Sequence, residues 1–433
     1  MVQGCHVASS SDGHHGGMSA RRPLRPGGVV AGVVGVVGVV VLAACTSPTA
    51  ESEGPPSEPA PASTELFEID DGDPLPFPGY DIDRVTIAPL PPQPGATEAP
   101  TLTGWAAFDA TLERAILGGG SDAVSVAVSI DGEIVHEAAM GARMPDTFDA
   151  VEPTDKFRIA SISKTVTAIT ALQLVEEGLV GLDDPIGDLV AEAVGVDSPS
   201  AGVAGLTLRR LLTHTSGFPQ YESLFFRNQA DSCEEAAAVG VTRSLQGGGY
   251  RYSNMNYCVL GLLIEQLTGQ DYEQVVAERL LTPLGIVGMR LAPTQDPGPD
   301  EVVHRTVPDR NYMEVLGAAG AWVASPADLV TIYNSLDPDT AGWKPLDAET
   351  VAEMKTAVND PRAPDRGYGM GVILYGAGAA GHTGTIESTH AMVLDRADNV
   401  TWAVTVSGEN PSDTVRLAGI VDRALAAGGF VAG

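Results

Sequence analysis

The sequence predicts an α+β fold, in which an antiparallel sheet is flanked by helices and interrupted by an all-helical subdomain. Residues 123–140 alternate in polarity like two strands joined by a tight turn at Asp-Gly. Three more strand-like segments lie near the end of the chain, at residues 368–376, 389–395 and 401–407. Turn residues between about 180 and 300 separate apolar segments typical of helices. Because strands lie at both ends, we expect the two ends to share one sheet.

The helices of the predicted domain follow from apolar spacing and turn residues. WAAFDATLERAIL (105–117) repeats apolar residues at helical spacing before the first strand. VTAITALQLVEEG (166–178) does the same and stops at Gly178, which suits a left-handed helix cap. The segment 411–428 is amphipathic, and we expect it to close the chain as a capped helix.

The first 44 residues have the layout of an export signal. Three arginines precede an uncharged Gly/Val stretch that ends at Cys45. The residues Leu42 to Cys45 resemble the lipobox of bacterial lipoproteins, in which cleavage leaves Cys45 as a lipid-bearing N-terminus. An uncleaved transmembrane anchor is the alternative, but an anchor does not need a cysteine there. We therefore expect an extracytoplasmic protein anchored to the cell membrane by lipid, with its start at Met1 or Met18.

Composition divides the remaining chain. Residues 45–103 are rich in Pro, Ser and Glu and are predicted to form a tether. Residues 104–433 form the predicted folded domain, and its helical insertion covers about 165–310. The formal net charge of −31 argues against nucleic acid as a partner and indicates either a well-solvated exported surface or an acidic recognition surface.

Cysteine and histidine spacing limits the other chemistry. Cys233 and Cys258 are the two cysteines of the predicted domain. In an exported protein they are plausible disulfide partners, and two buried thiols are the alternative. No CxxC or His-rich spacing indicates a metal site, and no cofactor is expected.

Ser161 and Lys164 lie three residues apart in RIASISKT, at the start of the helix that continues through VTAITALQLVEEG. This spacing places both side chains on one helix face. A lysine whose charged form is disfavoured by burial can take the proton of a serine hydroxyl. A surface lysine beside a capping serine explains the same pattern without catalysis.

Two further short patterns bear polar groups. Tyr252 and Asn254 precede an apolar helix, where they either project into a cleft or serve as a buried tyrosine and a capping asparagine. GHTGT (381–385) lies between two strand-like segments, where Gly384 either permits close approach of another backbone or forms a plain bend.

Together, SxxK, YxN and HTG resemble the motifs of the serine penicillin-recognising hydrolases, whose signature joins SxxK with SDN and KTG. The tyrosine variant is similar to the branch that holds class C β-lactamases, certain D-Ala-D-Ala carboxypeptidases and related esterases. The resemblance covers about residues 104–430 and implies a β-lactamase/transpeptidase-like fold. Further likeness lies in LTLRRLLTHTSGFP (206–219), LTPLGIVGMRL (281–291), GAAGAWVASPADL (317–329) and YGMG (368–371).

The resemblance implies an acyl-enzyme mechanism at a Ser-Lys-Tyr centre. Ser161 would attack a carbonyl, while Lys164 and Tyr252 share the role of base. Asn254 would hold the substrate amide and position Lys164. The backbone N–H groups of Ser161 and Thr385 would form the oxyanion hole.

The same resemblance implies a substrate class. His382, in place of the lysine usual in β-lactamases, would line the substrate-carboxylate side with Thr383, beside Gly384. We expect a monomeric D-alanyl-D-alanine carboxypeptidase-like enzyme acting on peptidoglycan stem peptides, with a β-lactamase acting on β-lactams or a class C-like esterase as alternatives. A catalytically silent cell-wall binding module is the non-enzyme alternative.

Overall fold

The computed structural model describes residues 102–359 and 362–430. The predicted export signal, the lipidation site Cys45 and the predicted tether up to residue 101 lie outside the described residues. Within the described ranges, no helix is both long and apolar enough to cross a membrane.

The centre of the domain is a seven-stranded antiparallel sheet in the order β2-β1-β10-β9-β8-β7-β6. A small sheet has the order β3-β5-β4. The strands are β1 (Ala123–Ile130), β2 (Glu133–Gly141), β3 (Phe157–Arg158), β4 (Arg290–Leu291), β5 (Trp322–Ala324), β6 (Arg366–Tyr368), β7 (Ile373–Gly376), β8 (Ala379–Ile386), β9 (Thr389–Asp395) and β10 (Val400–Ser407).

Helices lie before, between and after these strands. They are α1 (Trp105–Ile116), α2 (Ser163–Glu176), α3 (Gly187–Ala193), α4 (Leu208–Leu212), α5 (Glu222–Phe226), α6 (Cys233–Thr242), α7 (Asn254–Thr268), α8 (Tyr272–Val276), α9 (Tyr312–Leu316), α10 (Pro326–Ser335), α11 (Ala348–Met354) and α12 (Arg416–Gly428). The prediction of an antiparallel sheet interrupted by a helical region is confirmed.

The first and last elements of the described domain meet in the large sheet and on its outer face. Ala123 of β1 pairs with Ser407 of β10. The helices α1 and α12 pack side by side against that sheet, and Trp402 of β10 is buried in the apolar cluster between them. The rings of Trp105 and Phe430 stack with centroids 3.9 Å apart. The domain is therefore closed by contacts between its first and last elements.

Two details differ from the sequence prediction. The segment 368–376 is not one strand, because a turn closed by the Gly369 N–H and the Val372 carbonyl separates β6 from β7. Gly371 in this turn has φ 78° and lies against Ala168 of α2 without room for a side chain. GHTGT, expected between two strands, lies itself within β8 and pairs with β9 throughout. Its glycines and threonines hide the apolar alternation on which the prediction relied.

The disulfide predicted from the cysteine spacing is confirmed. Cys233 and Cys258 are bonded, with their Cα atoms 5.6 Å apart. The bond joins α6 to α7, the helix that begins at Asn254.

Candidate active site

Ser161 lies in a 3-10 turn, Ala160–Ile162, that leads directly into α2. Ala160 has φ 45°, a left-handed conformation that is costly for a residue other than glycine. The Ile159 N–H donates to the Trp322 carbonyl of β5, which holds the chain before the turn. The turn leaves Ser161 partly exposed, while the residues of α2 that follow it are buried.

Lys164 is fully buried beneath Ser161, with its Nζ 3.0 Å from the serine Oγ. The amine donates to the Oδ1 of Asn254 and to the carbonyl of Ala319, each at 2.8 Å. Within the described part of the chain, no carboxylate pairs with it. Burial therefore holds the pKa of Lys164 well below its usual value. In its neutral form the amine would have two N–H groups for these two carbonyl oxygens and a lone pair left for the serine hydroxyl.

Tyr252 and Asn254 reach the same point from the start of α7. The side chain of Ser253, between them, caps the helix by accepting a hydrogen bond from the Met255 N–H at 3.3 Å. Lys164 Nζ lies 4.9 Å from the centre of the Tyr252 ring. Burial raises the pKa of Tyr252 well above its usual value, and a hydrogen bond with Ser161 opposes that rise. The structure thus brings the predicted serine, lysine, tyrosine and asparagine together.

Strand β8 forms the opposite wall of this site. A side chain at Gly384 would collide with the carbonyl of Ile159 and lie 3.2 Å from the Cβ of Ala160. Close approach of another backbone, as expected at this glycine, therefore brings β8 against the turn that carries the serine. Thr383 is half-buried, and Thr385 is exposed with its hydroxyl 2.5 Å from that of Thr414.

His382 is placed differently from the expectation that it lines the substrate-carboxylate side. Its ring is only 1% exposed. Its Nδ1 donates to the carbonyl of Thr383 at 2.7 Å, so its Nε2 accepts from the Tyr368 hydroxyl at 3.1 Å. Burial, followed by the effect of Lys164, lowers the pKa of His382 to about 3. Both ring nitrogens are occupied and the ring is neutral, so it offers neither charge nor a free donor to a ligand.

A cluster of rings packed under the site was not predicted from the sequence. This aromatic cluster consists of His214, Tyr252, Tyr257, Tyr368 and His382. The His214 ring centre lies 4.3 Å from that of Tyr252, 4.7 Å from Tyr368 and 5.2 Å from Tyr257. Lys164 Nζ lies 5.8 Å from the Tyr257 ring centre. The segments LLTHTSG and YGMG contain two of these rings, those of His214 and Tyr368. No spacing rule predicts that they lie near Lys164.

The described residues contain no group of three or more His, Cys, Asp or Glu side chains placed to hold a metal ion.

Comparison with known proteins gives one family and several relatives. The family model described as Beta-lactamase matches residues 108–426. Penicillin-binding protein 4 of Amycolatopsis lactamdurans is 32% identical over 167 residues, which are 37% of this chain and 42% of that protein. The chain thus spans less than half the length of the curated relatives it matches, with 35% covered in penicillin-binding protein 4* of Bacillus subtilis.

Solved structures share the fold over most of the chain. SurE, solved with D-Leu, has a TM-score of 0.59 and 26% identity, covering 76% of this chain and 77% of its own. D-amino acid amidase from Ochrobactrum anthropi, solved with L-phenylalanine, has a TM-score of 0.60 and 22% identity, covering 74% and 98% respectively. At that identity, the amidase supports the fold alone.

Proposed function

The chain belongs to the beta-lactamase family, and from this premise we propose that it is an exported serine hydrolase that works through an acyl-enzyme. Its proposed substrates are peptidoglycan stem peptides, on which it acts like a D-alanyl-D-alanine carboxypeptidase. The observation that carries the proposal is the buried Lys164 amine, 3.0 Å from the Ser161 hydroxyl with no carboxylate partner in the described chain.

The proposed reaction uses the site as follows. Ser161 Oγ bonds to the carbonyl carbon of the substrate while its proton passes to the lone pair of Lys164. Backbone N–H groups of Ser161 and Thr385 stabilise the oxyanion. The bond to the leaving group then breaks, and the leaving group takes the proton through the Tyr252 hydroxyl. Water repeats the sequence on the ester, and Ser161 is regenerated.

The stem-peptide assignment is supported by the family and by the names of relatives. Penicillin, which mimics the end of a stem peptide, appears in the name of the Amycolatopsis relative. A D-amino acid was bound to SurE. A lipid anchor at Cys45 and a tether would hold the proposed monomer close to peptidoglycan at the membrane.

One observation favours a second candidate, the hydrolysis of D-amino-acid amides or esters that lack a terminal carboxylate. The position at which β-lactamases have a lysine holds the neutral, buried His382. Without a permanent cation there, a substrate carboxylate loses one electrostatic attraction.

The test is to incubate the full-length protein and a Ser161→Ala variant with a fluorescent penicillin, and to follow the adduct by intact mass. A lasting adduct on the wild type alone supports the carboxypeptidase proposal. A transient adduct with hydrolysed drug indicates a β-lactamase. If there is neither adduct nor hydrolysed drug, the carboxypeptidase and β-lactamase assignments both fail, and an esterase or a silent binding module is left.

A matched pair of acetylated D-Ala-D-Ala peptides then separates the two proposed substrate classes. One peptide ends in a free carboxylate and the other in an amide, so they differ only in terminal charge. Faster release of D-alanine from the first supports the carboxypeptidase assignment, and faster release of D-alanine amide from the second supports the amide and ester assignment.

A further inference from the structure

His214 accepts hydrogen bonds from the backbone on both sides of Tyr252, the residue whose phenol lies in the site. Its backbone carbonyl accepts from the Arg251 N–H at 2.8 Å. Its ring Nδ1 accepts from the Ser253 N–H at 3.2 Å. Tyr252 lies between these two donors, so a single residue of the preceding loop fixes the backbone on either side of it.

The same nitrogen also fixes the start of α7. Asn256 donates from its Nδ2 to His214 Nδ1 at 2.9 Å, and its Oδ1 accepts from the Ser216 hydroxyl at 2.5 Å. Since Nδ1 accepts two hydrogen bonds, the ring proton must be on Nε2. That N–H is buried, and no side chain or backbone group of the described chain accepts from it. His214 itself has φ 55°, a conformation that persists where surrounding contacts determine it.

The side chains that face His214 are either phenols or bases that, like His214, carry positive charge when protonated. They are Lys164 of α2, Tyr250 and Tyr252 before α7, Tyr257 of α7, Tyr368 of β6 and His382 of β8. Burial, followed by the effects of Lys164 and His382, holds the pKa of His214 well below its usual value. A proton on Nδ1 would break both hydrogen bonds that this nitrogen accepts and place a positive charge in this buried cluster.

We propose that His214 is a positioning residue for acylation. Its unprotonated Nδ1 and its carbonyl hold Tyr252 and Asn254 in register with Ser161 and Lys164. Its ring packs on the Tyr252 and Tyr257 rings that lie beside Lys164 Nζ, and so helps to keep water from that amine. This inference rests on the proposed acyl-enzyme chemistry and adds to it a residue that does not touch the substrate.

The test compares His214→Ala and His214→Asn with the wild type in acylation by a fluorescent penicillin across pH. The control is His304→Ala, since His304 is another buried histidine that accepts from a backbone N–H, that of Arg158. We expect His214→Ala to lower the acylation rate constant about a hundredfold, with little change in penicillin affinity. Asparagine can supply an acceptor oxygen, so His214→Asn should recover about tenfold of that loss.

The pH profile separates positioning from general destabilisation. If water reaches Lys164 in His214→Ala, its pKa rises, so the acid limb of the acylation rate should move to higher pH by about one unit. His304→Ala should keep the wild-type acid limb per folded molecule. An unshifted limb with a wild-type rate in His214→Ala would overturn the proposal, as would a shift of equal size in His304→Ala. If His214→Ala does not fold, the proposal is tested with His214→Asn and His214→Gln. The acid limb of their acylation rate must then differ from that of His304→Ala.

The two proposals fail in distinguishable ways. If the wild type forms no adduct with penicillin and hydrolyses none, the stem-peptide assignment is wrong. If the wild type is acylated and the His214 variants match it, the chemistry stands and the role of His214 is wrong.

Discussion

Two of the four lysines in the chain, Lys156 and Lys164, are buried in the same short stretch, yet they have opposite surroundings. Lys156 donates to a carboxylate oxygen of Asp328 at 2.6 Å. That carboxylate also accepts from the Ser325 N–H and completes the capping box of α10. The hydrogen-bond partners of Lys164 among the described residues are an amide oxygen, a backbone carbonyl and a hydroxyl. The two amines therefore differ in their hydrogen-bond acceptors, a carboxylate for Lys156 and neutral groups for Lys164, so burial alone does not make a base.

Replacing Lys164 is expected to have the largest effect. Lys164→Met removes the lone pair that faces Ser161, and the acylation rate constant should fall about a thousandfold, within the range for loss of a general base. The rate constant is measured by following acylation by penicillin with intact mass, and Ser161→Ala gives the baseline without acylation. A fall of less than tenfold would show that Tyr252 activates the serine without the lysine.

The counterpart Lys156→Met should affect stability and leave catalysis unchanged. It leaves the buried Asp328 carboxylate without its cation, so the free energy of unfolding should fall by about 3 kcal/mol. Urea unfolding measures that loss, and the acylation rate per folded molecule should remain that of the wild type. In the double variant Lys156→Met/Asp328→Asn, part of the stability should return because no unpaired charge is left. If it does not return, the charge of Asp328 is not the cause.

Asn254→Asp should make Lys164 resemble Lys156. A carboxylate at this distance favours the ammonium form and raises the pKa of Lys164 by about one to three units. The amine then stays protonated to higher pH, so the acid limb of acylation should move upward and the rate at pH 7 should fall by about ten- to a hundredfold. Asn254→Ala, which removes the contact without adding charge, is the control. Equal acid limbs in the two variants would contradict the prediction.

The smallest predicted effect is a pH-dependent stability difference. Unfolded Lys164 keeps its proton up to about pH 10.5, whereas folded Lys164 releases it at lower pH. Between those two values the unfolded state binds more protons, so the contribution of Lys164 to stability rises with pH, by at most about 1.4 kcal/mol per pH unit. Urea unfolding of the wild type and Lys164→Met at pH 7, 8 and 9 measures their free energies of unfolding. The difference between the two should shift in favour of the wild type as pH rises. A constant difference would mean that Lys164 is charged in both states.

The contrast between these lysines also marks what could be predicted from the sequence. The pairing of Ser161 with Lys164 follows from helix geometry, because residues three apart share a face. The convergence of Tyr252 and Asn254 on that pair was expected from the order of motifs. The carbonyl of Ala319 and the ring of His214 could not be predicted, because packing between distant segments brings them to Lys164. The neutrality of His382 depends on Tyr368 in the same way.

Some strands of the fold could likewise be predicted from the sequence, and others could not. The long strands β1, β2, β9 and β10 were predicted from their alternation. The two- and three-residue strands of the small sheet are too short to show a period, so they were missed. β8 was missed because its glycines and threonines show no apolar alternation.

The stacking of Trp105 on Phe430 brings the first and last described helices of the domain together, so the domain can be joined there and opened elsewhere. Linking residue 430 to residue 104 and opening the exposed loop at Ala341–Gly342 would give a circular permutant. Its large sheet would then read β6-β7-β8-β9-β10-β1-β2 along the chain, the reverse of its spatial order. Every strand would follow its neighbour, so the contact order of the sheet would fall and the permutant should fold faster than the natural arrangement.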